Sequence, residues 1–181
     1  MKVGGLRTTA AAIALNSSYP KTDAPIINNL RAAGAIIIGK ANMATLAGFS
    51  ESEVAGPVLN PYGPDVAFSS GSSNGNGAGG ASVFGVIGVG TDTGGSVIGP
   101  SSVSNLIGLN LAHGTINMSG VFPLSIMADR AGPMVRYAED LALVLDELDP
   151  SIPTKPYYST PNVLNADGLN GLRIGYLGFT L

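Results

Sequence analysis

Residues 90–96 read Gly90-Thr-Asp-Thr-Gly-Gly-Ser96 and follow a short apolar run, Val86-Ile-Gly-Val89, which predicts a buried strand. The two glycines before Ser96 let the backbone bend so that several N–H groups point into one concavity. Such a concavity suits the oxyanion that forms during acyl transfer, with Ser96 as the nucleophile. A structural turn or a phosphate-cradling loop accounts for the same glycines equally well, so this loop alone leaves the function open.

A second serine-rich stretch precedes this loop. It reads Ser69-Ser-Gly-Ser-Ser-Asn-Gly-Asn-Gly77 and is separated from the first by one predicted helix, over residues 75–85, and the strand. A helix followed by a strand returns the chain to its starting edge, so the two stretches are expected to meet in space. Because no Gly-Lys-Ser/Thr ending accompanies Gly94-Gly95-Ser96, the phosphate-loop hypothesis is the weaker one.

A serine nucleophile needs a base, and the chain offers few. His113 is the only histidine and has no carboxylate patterned with it, which favours a core or loop role. Lysine is the remaining base, since a buried neutral amine activates a hydroxyl directly or through a second hydroxyl. Lys2 and Lys40 are the lysines to consider, and a structural role at a strand end is the alternative for Lys40.

Alternating helices and strands predict an α/β fold. Asp23 is expected to cap a helix that has Pro25 in its first turn and stops at Gly34, and Ala35–Ile38 then reads as a buried strand. Residues 50–70 predict an irregular connection. Residues 137–148 form an amphipathic helix with Ala138, Leu141, Leu145 and Leu148 on its apolar face, and residues 172–177 read as a last strand.

Composition excludes several classes of function. The 181 residues are 45% hydrophobic and 12% charged, which is a globular composition. A net charge of -3 without basic clusters argues against nucleic acid as a partner, and no apolar run is long enough to span a membrane. The absence of cysteine and the single histidine leave no material for a metal site of the usual kind. The first residues match a signal peptide poorly, which favours a soluble, cytoplasmic protein over a secreted one.

Taken together, the two serine-rich stretches resemble the amidase signature family, because they occur in the family's order with Ser72 and Ser96 24 residues apart. Further landmarks agree over residues 4–148: Gly5-Leu-Arg-Thr-Thr9, Asp23-Ala-Pro25, Gly39-Lys-Ala-Asn-Met43, Asn60-Pro-Tyr62 and Ala131-Gly-Pro-Met134. The resemblance implies an α/β amidase-signature fold with a large mixed central β-sheet flanked by helices. It also implies hydrolysis of carbon–nitrogen amide bonds in a small-molecule substrate, with no metal or organic cofactor.

The resemblance implies a Ser-cis-Ser-Lys triad. Ser96 would attack the amide carbonyl, and Ser72, preceded by a cis peptide bond, would relay the proton to a lysine. The oxyanion hole would be formed by backbone N–H groups of Thr93, Gly94, Gly95 and Ser96. Ser73 and Asp92 would support the loops through hydrogen bonds.

The sequence departs from the family pattern in three places. The triad lysine belongs to a Lys-Asp-Asn type motif that would fall before Met1, so no residue of this chain takes its role. Ile98 and Gly99 stand where relatives place an arginine, which leaves Asp92 without its expected ion-pair partner and predicts a pocket that is wetter, rearranged or less stable than in relatives. Ser69-Ser70-Gly71 replaces a more glycine-rich run.

We expect a partial domain: residues 1–149 as an amidase-signature core, 150–171 as a linker and 172–181 as the start of a further segment of the same domain. The expected activity is amide hydrolysis to a carboxylate plus ammonia or an amine. The alternative is a catalytically impaired or inactive amidase-like fragment, since the triad lysine is absent.

Overall fold

Four α-helices and three strands make up the regular structure of the residues described by the computed structural model, which are 1–48, 51–63, 69–148, 156–161 and 163–175. The helices are α1 (Pro25–Ala32), α2 (Asn74–Ala81), α3 (Ile98–Val103) and α4 (Ala138–Leu148). The strands are β1 (Ile87–Asp92), β2 (Ile107–Gly108) and β3 (Arg130–Val135). Two short 3₁₀ helices span Ile13–Leu15 and Thr45–Ala47. The content of helices and strands agrees with the α/β prediction.

The start of α1 differs from the sequence-based expectation. Pro25 does occupy the first turn, where its fixed φ suits a helix and its missing N–H costs nothing. Asp23 is not the cap, because Ala24 holds that position without a side-chain hydrogen bond. The Asp23 carboxylate instead accepts the Gly4 N–H (2.5 Å) and pairs with Arg31 (2.9 Å), and both contacts lower its pKa. Asp23 therefore ties the amino-terminal segment to α1.

The prediction of a buried strand over Ala35–Ile38 is wrong. This segment has no strand partner in the part of the chain that the structure describes, and Ile36 and Ile38 are 87% and 74% exposed. Ala35 and Ile37 pack against the core, so the segment is only partly covered. Strand formation needs a neighbouring strand to accept and donate backbone hydrogen bonds, and no described strand lies beside this segment.

The helix predicted over residues 75–85 is α2. Glycines in α2 and in β1 let this helix lie very close to α3 and to β1. A Cβ added at Gly77 would lie 2.8 Å from the Ser104 Oγ, so glycine is needed for α2 to pack against the end of α3. A Cβ at Gly90 would lie 2.6 Å from the Ser73 Oγ, which brings β1 against the start of α2. The strand extends to Asp92, further than the predicted end at Val89.

The described sheet is antiparallel throughout, with β3 in its centre and the order β1-β3-β2. Gly90 of β1 lies opposite Gly132 of β3, and Val89 lies opposite Pro133. Among the described residues the sheet thus has three strands, which is smaller than the large mixed sheet that was expected. No strand of the described ranges lies beside the edge of β1 that faces away from β3.

The main core lies between α1, α4 and β3. It contains the buried residues Ile26, Leu30, Ile116, Ala131, Val144 and Leu148. The predicted α4 is confirmed over residues 138–148, but its buried face is shifted, because Ala142 and Val144 are buried whereas Ala138 is exposed. With 11 residues, α4 is the longest described helix, and none of the described helices has the length and apolar character of a membrane span.

Part of the predicted linker is docked on α4. Buried Asp146 accepts N–H bonds from residues 157, 158 and 159 and the Ser159 hydroxyl (2.5 Å). Burial raises the pKa of Asp146, but these hydrogen bonds outweigh it and the net shift is downward. Residues 172–175 form no strand, the rest of the last predicted strand lies outside the described residues, and the predicted boundaries at 149 and 171 stay predictions.

Candidate active site

The two serine-rich stretches meet at the junction of α2 and β1. The Ser73 N–H donates to the Ser96 carbonyl (3.2 Å), which joins the two loops directly. The Ser73 hydroxyl donates to the Thr91 carbonyl (3.2 Å) and accepts the Thr91 N–H (3.1 Å). The Ser73 hydroxyl thereby binds both backbone groups of Thr91 on the outer edge of β1. These bonds hold the loop that follows β1 against the start of α2.

Ser72 lies at the centre of this junction. The peptide bond between Gly71 and Ser72 is cis, and the Ser72 carbonyl accepts the Ala44 N–H (3.1 Å). The residue is 1% exposed, and its hydroxyl has no hydrogen-bond partner among the described residues. A buried hydroxyl without a partner is uncommon, because it loses its bonds to water and gains none in return. The Ser101 hydroxyl is a second group of this kind, so the position of Ser72 beside the Ser96 loop, and not the missing partner alone, singles it out.

Asp92 organises the loop between β1 and α3. Its carboxylate is 1% exposed and accepts three backbone N–H groups, from Gly95 (2.7 Å), Val97 (2.7 Å) and Ile98 (3.2 Å). The predicted loss of an ion-pair partner holds among the described residues, where the single ion pair joins Arg31 to Asp23. The three backbone N–H groups nevertheless supply hydrogen bonds to the buried carboxylate, and the wetter, rearranged or less stable pocket stays a prediction.

The hydrogen bonds of this loop bear on which of the four predicted oxyanion donors have a free N–H group. The Gly95 N–H is already engaged by Asp92, and Gly95 has a φ of +119°, which favours glycine. Within the described part of the chain, the N–H groups of Thr93, Gly94 and Ser96 have no acceptor. These three donors belong to the loop that carries the Ser96 hydroxyl, so they remain available to an oxyanion.

Asp129 is a second buried anchor, and sequence analysis missed it. Its carboxylate accepts the Thr93 hydroxyl (2.5 Å) and the N–H groups of Leu124 (2.8 Å) and Ser125 (3.0 Å). Asp129 thus fixes Thr93 and the segment 121–128 relative to one another. The only signal in the sequence was its place two residues before the Ala131-Gly-Pro-Met134 landmark.

Lys40 and His113 both form their hydrogen bonds away from the two serines. The Lys40 amine donates to the Met1 carbonyl (2.9 Å) and the Thr8 hydroxyl (2.6 Å), and desolvation lowers its pKa to about 8. His113 is exposed, and its Nε2 lies 3.0 Å from the Ile126 carbonyl, which agrees with the loop role predicted for it. The Ser72 hydroxyl receives a hydrogen bond from neither residue.

Comparison with known proteins identifies the family of this chain. The profile of the amidase family matches residues 1–180. One component of the glutamyl-tRNA(Gln) amidotransferase from Lawsonia intracellularis is 38% identical over 176 residues, which cover 93% of this chain and 36% of that protein. This chain thus spans about a third of the length of that relative.

Solved structures give the same result for the fold. An amidase family protein from Bacillus anthracis is 32% identical with a TM-score of 0.79, over 84% of this chain and 32% of that one. A chain of a vestigial protein complex that bears on the origins of an s-triazine catabolic enzyme is 33% identical, with a TM-score of 0.86 over 98% of this chain and 40% of its own. The predicted amidase-signature fold is therefore confirmed, and this chain belongs to the amidase family.

Proposed function

We propose that this chain carries the nucleophile half of an amidase active site that hydrolyses carbon–nitrogen bonds of small amides. Ser96 Oγ attacks the amide carbonyl carbon while its proton passes to Ser72 and on to a base. The tetrahedral oxyanion accepts N–H bonds from Thr93, Gly94 and Ser96. The C–N bond then breaks and the nitrogen leaves as ammonia or an amine with the relayed proton, after which water hydrolyses the acyl-enzyme to a carboxylate and free Ser96.

The observation that carries the proposal is the Ser72 hydroxyl. It is buried and has no partner among the described residues, and its neighbour Ser73 donates to the carbonyl of Ser96. A proton relay requires a hydroxyl that is kept dry and free of competing bonds, close to the nucleophile on one side and open to a base on the other. The buried Ser101 hydroxyl also lacks a partner, but Ser72, unlike Ser101, directly precedes the residue that joins the two serine-rich loops.

A second candidate function is a catalytically impaired amidase-like protein, and the position of Lys40 favours it. The Lys40 amine is bound to Thr8 and to the carbonyl of Met1, so it does not serve as the base for Ser72. Loss of a triad member lowers the rate by several orders of magnitude, while the oxyanion donors retain part of the catalysis. We therefore expect slow turnover that still depends on Ser96.

Release of ammonia tests the proposal. The purified chain is incubated with propionamide, benzamide, glutamine and a C-terminal peptide amide, the last two chosen because relatives include an amidotransferase component and a peptide amidase. Ser96→Ala is the test variant, and Ser119→Ala, which alters an exposed serine, is its matched control. We expect release that Ser96→Ala abolishes and Ser119→Ala preserves. Equal release by all three proteins, or none by any, would refute hydrolysis by this chain.

A further inference from the structure

Thr93 and Gly94 lie where β1 ends and the Ser96 loop begins. Neither residue makes a backbone hydrogen bond among the described residues, and a Cβ at Gly94 would meet open space. Both N–H groups are therefore free to bind an oxyanion, but no backbone contact fixes the direction in which they point. Oxyanion donors are effective when they are aimed before the reaction begins, so this part of the loop needs another anchor.

The Thr93 side chain supplies that anchor. Its hydroxyl donates to the Asp129 carboxylate (2.5 Å), which is the one hydrogen bond that either Thr93 or Gly94 makes within the described ranges. A hydrogen bond from a hydroxyl to a carboxylate is shorter and stronger than one between neutral groups. Asp129 is 7% exposed, so little water competes for its oxygens.

The register of the sheet explains why these two residues meet. The last pair of the antiparallel β1–β3 ladder joins Asp92 to Arg130. Thr93 follows Asp92 and Asp129 precedes Arg130, so Thr93 and Asp129 occupy the next position along the ladder. Their side-chain bond thus extends the contact between the two strands by one residue beyond the paired region.

Asp129 is itself firmly held. Its carboxylate also accepts the N–H groups of Leu124 (2.8 Å) and Ser125 (3.0 Å), and its own N–H donates to the Ser125 carbonyl (2.8 Å). Because three donors share the two carboxylate oxygens, the side chain cannot turn without breaking more than one bond. Asp129 is therefore a fixed point at the start of β3 against which the Ser96 loop is set.

Asp92 holds a different part of the same loop. It accepts three backbone N–H groups from Gly95 onward and so fixes the part of the loop that leads into α3. None of these bonds reaches Thr93 or Gly94. Loss of the Asp129 contact would therefore release the two donors next to β1 and leave the remainder of the loop in place.

We propose that Asp129 is a positioning residue for the oxyanion hole, acting through the Thr93 hydroxyl to aim the N–H groups of Thr93 and Gly94 at the substrate oxygen. This inference rests on the proposed function, because the oxyanion forms only if Ser96 attacks an amide. Asp129 takes no part in the proton transfer. Its effect falls on the rate of the chemical step and not on the binding of the substrate, since the oxyanion exists only after attack.

The rate of phosphonylation tests the proposal on the full chain, since the P=O oxygen of a fluorophosphonate takes the place of the oxyanion. Thr93→Val removes the hydroxyl and keeps the branched shape, whereas Thr93→Ser keeps the hydroxyl. Thr115→Val is the matched control, because the Thr115 side chain makes no hydrogen bond in the described part of the chain. Asp129→Asn and the double variant Asp129→Asn with Thr93→Val complete the set, and the Tm of each variant is measured alongside.

We expect Thr93→Val to lower the maximal rate of labelling by about 10- to 100-fold, which is less than the loss of about 10²–10³ that follows removal of a donor, because the donors here are misdirected and not removed. The reagent concentration that gives half-maximal rate should stay the same. Thr93→Ser should restore most of the rate, and Thr115→Val should match the wild type.

Asp129→Asn separates positioning through Thr93 from a general structural role. It should slow labelling when Thr93 is present but cause no further loss in Thr93→Val, because the two side chains act through one contact. A structural role exercised through Leu124 and Ser125 would instead add its own loss to that of Thr93→Val. If Asp129→Asn does not fold, the comparison of Thr93→Val with Thr93→Ser decides, since neither variant removes the bonds to Leu124 and Ser125.

Three results would overturn the inference and leave the proposed function intact. The first is labelling of Thr93→Val at the rate of the wild type. The second is a Thr93→Ser variant as slow as Thr93→Val, which would assign the effect to the methyl group. The third is a double variant whose loss is the product of the two single losses. The absence of any adduct on the wild type would instead refute the proposed function, and this inference with it.

Discussion

The substitution Asp92→Asn tests how the loop between β1 and α3 is held. The two carboxylate oxygens of Asp92 accept three backbone N–H groups in a site that is 1% exposed. Asparagine has the same shape but only one acceptor oxygen, and its NH₂ group faces whichever donors the oxygen does not reach. If the amide oxygen keeps Val97 and Ile98, the Gly95 N–H is left buried against another donor.

The loss of unfolding free energy in Asp92→Asn can be worked out from these three hydrogen bonds. A hydrogen bond to a charged group contributes about 1.5–3 kcal/mol, so losing that of Gly95 accounts for about 2 kcal/mol. The two retained bonds pass from charged to neutral and weaken by about half, which adds about 1 kcal/mol after the smaller desolvation of an amide is counted. We expect Asp92→Asn to lower the free energy of unfolding by about 3 kcal/mol, or the Tm by about 6–12 °C for a chain of this size.

Urea denaturation followed by circular dichroism measures the change, with Asp167→Asn as the control. Asp167 is exposed, so its substitution should alter stability by less than about 0.5 kcal/mol. A loss of less than about 0.5 kcal/mol for Asp92→Asn itself would refute the reasoning. It would show that the three N–H groups do not depend on the carboxylate.

Three glycines and Lys40 give the further predictions. Gly90→Ala should lower the free energy of unfolding, measured by urea denaturation, by about 2 kcal/mol, because the new Cβ would lie 2.6 Å from the Ser73 Oγ. Gly94→Ala is the control and should be nearly neutral, because no atom lies within 4 Å of the position of its Cβ. Gly79→Ala should stabilise the protein by about 0.5–1 kcal/mol and so raise the Tm, because Gly79 lies inside α2 and a Cβ there would meet open space. A lower Tm would contradict this expectation. The pKa of Lys40 is lowered to about 8 from 10.5, so the unfolded state binds more protons between these values and stability from this group rises with pH there. The difference in unfolding free energy between the wild type and Lys40→Gln should therefore shift in favour of the wild type from pH 7.5 to pH 10, and a constant difference would show that Lys40 does not titrate in this way.

Local patterns predicted the elements whose partners lie close in the sequence. α2 and α4 form where glycine content and apolar periodicity place them, because a helix satisfies its own backbone hydrogen bonds. The Ala35–Ile38 strand was predicted from equally clear residues and does not form. A strand depends on a neighbour, and no local pattern states whether that neighbour is present.

The contacts of the candidate site were likewise predictable only where the partners are close in the sequence. The meeting of the Ser72 and Ser96 loops was predictable, because one helix and one strand separate them. The anchoring of Thr93 by Asp129 was not, since the two residues are 36 positions apart and nothing in either segment marks the other. The satisfaction of Asp92 by backbone N–H groups was also beyond prediction, because it depends on how the loop folds around the carboxylate rather than on side-chain identity.

Covalent labelling tests the central claim, that Ser96 is an activated nucleophile with Ser72 as its relay. The wild type and the variants Ser96→Ala, Ser72→Ala and Ser119→Ala are treated with a fluorophosphonate, and the intact mass is followed over time. We predict a single adduct on the peptide that contains Ser96, lost in Ser96→Ala, slowed in Ser72→Ala and unchanged in Ser119→Ala. An adduct that forms equally in Ser96→Ala, or the absence of any adduct on the wild type, would contradict the account.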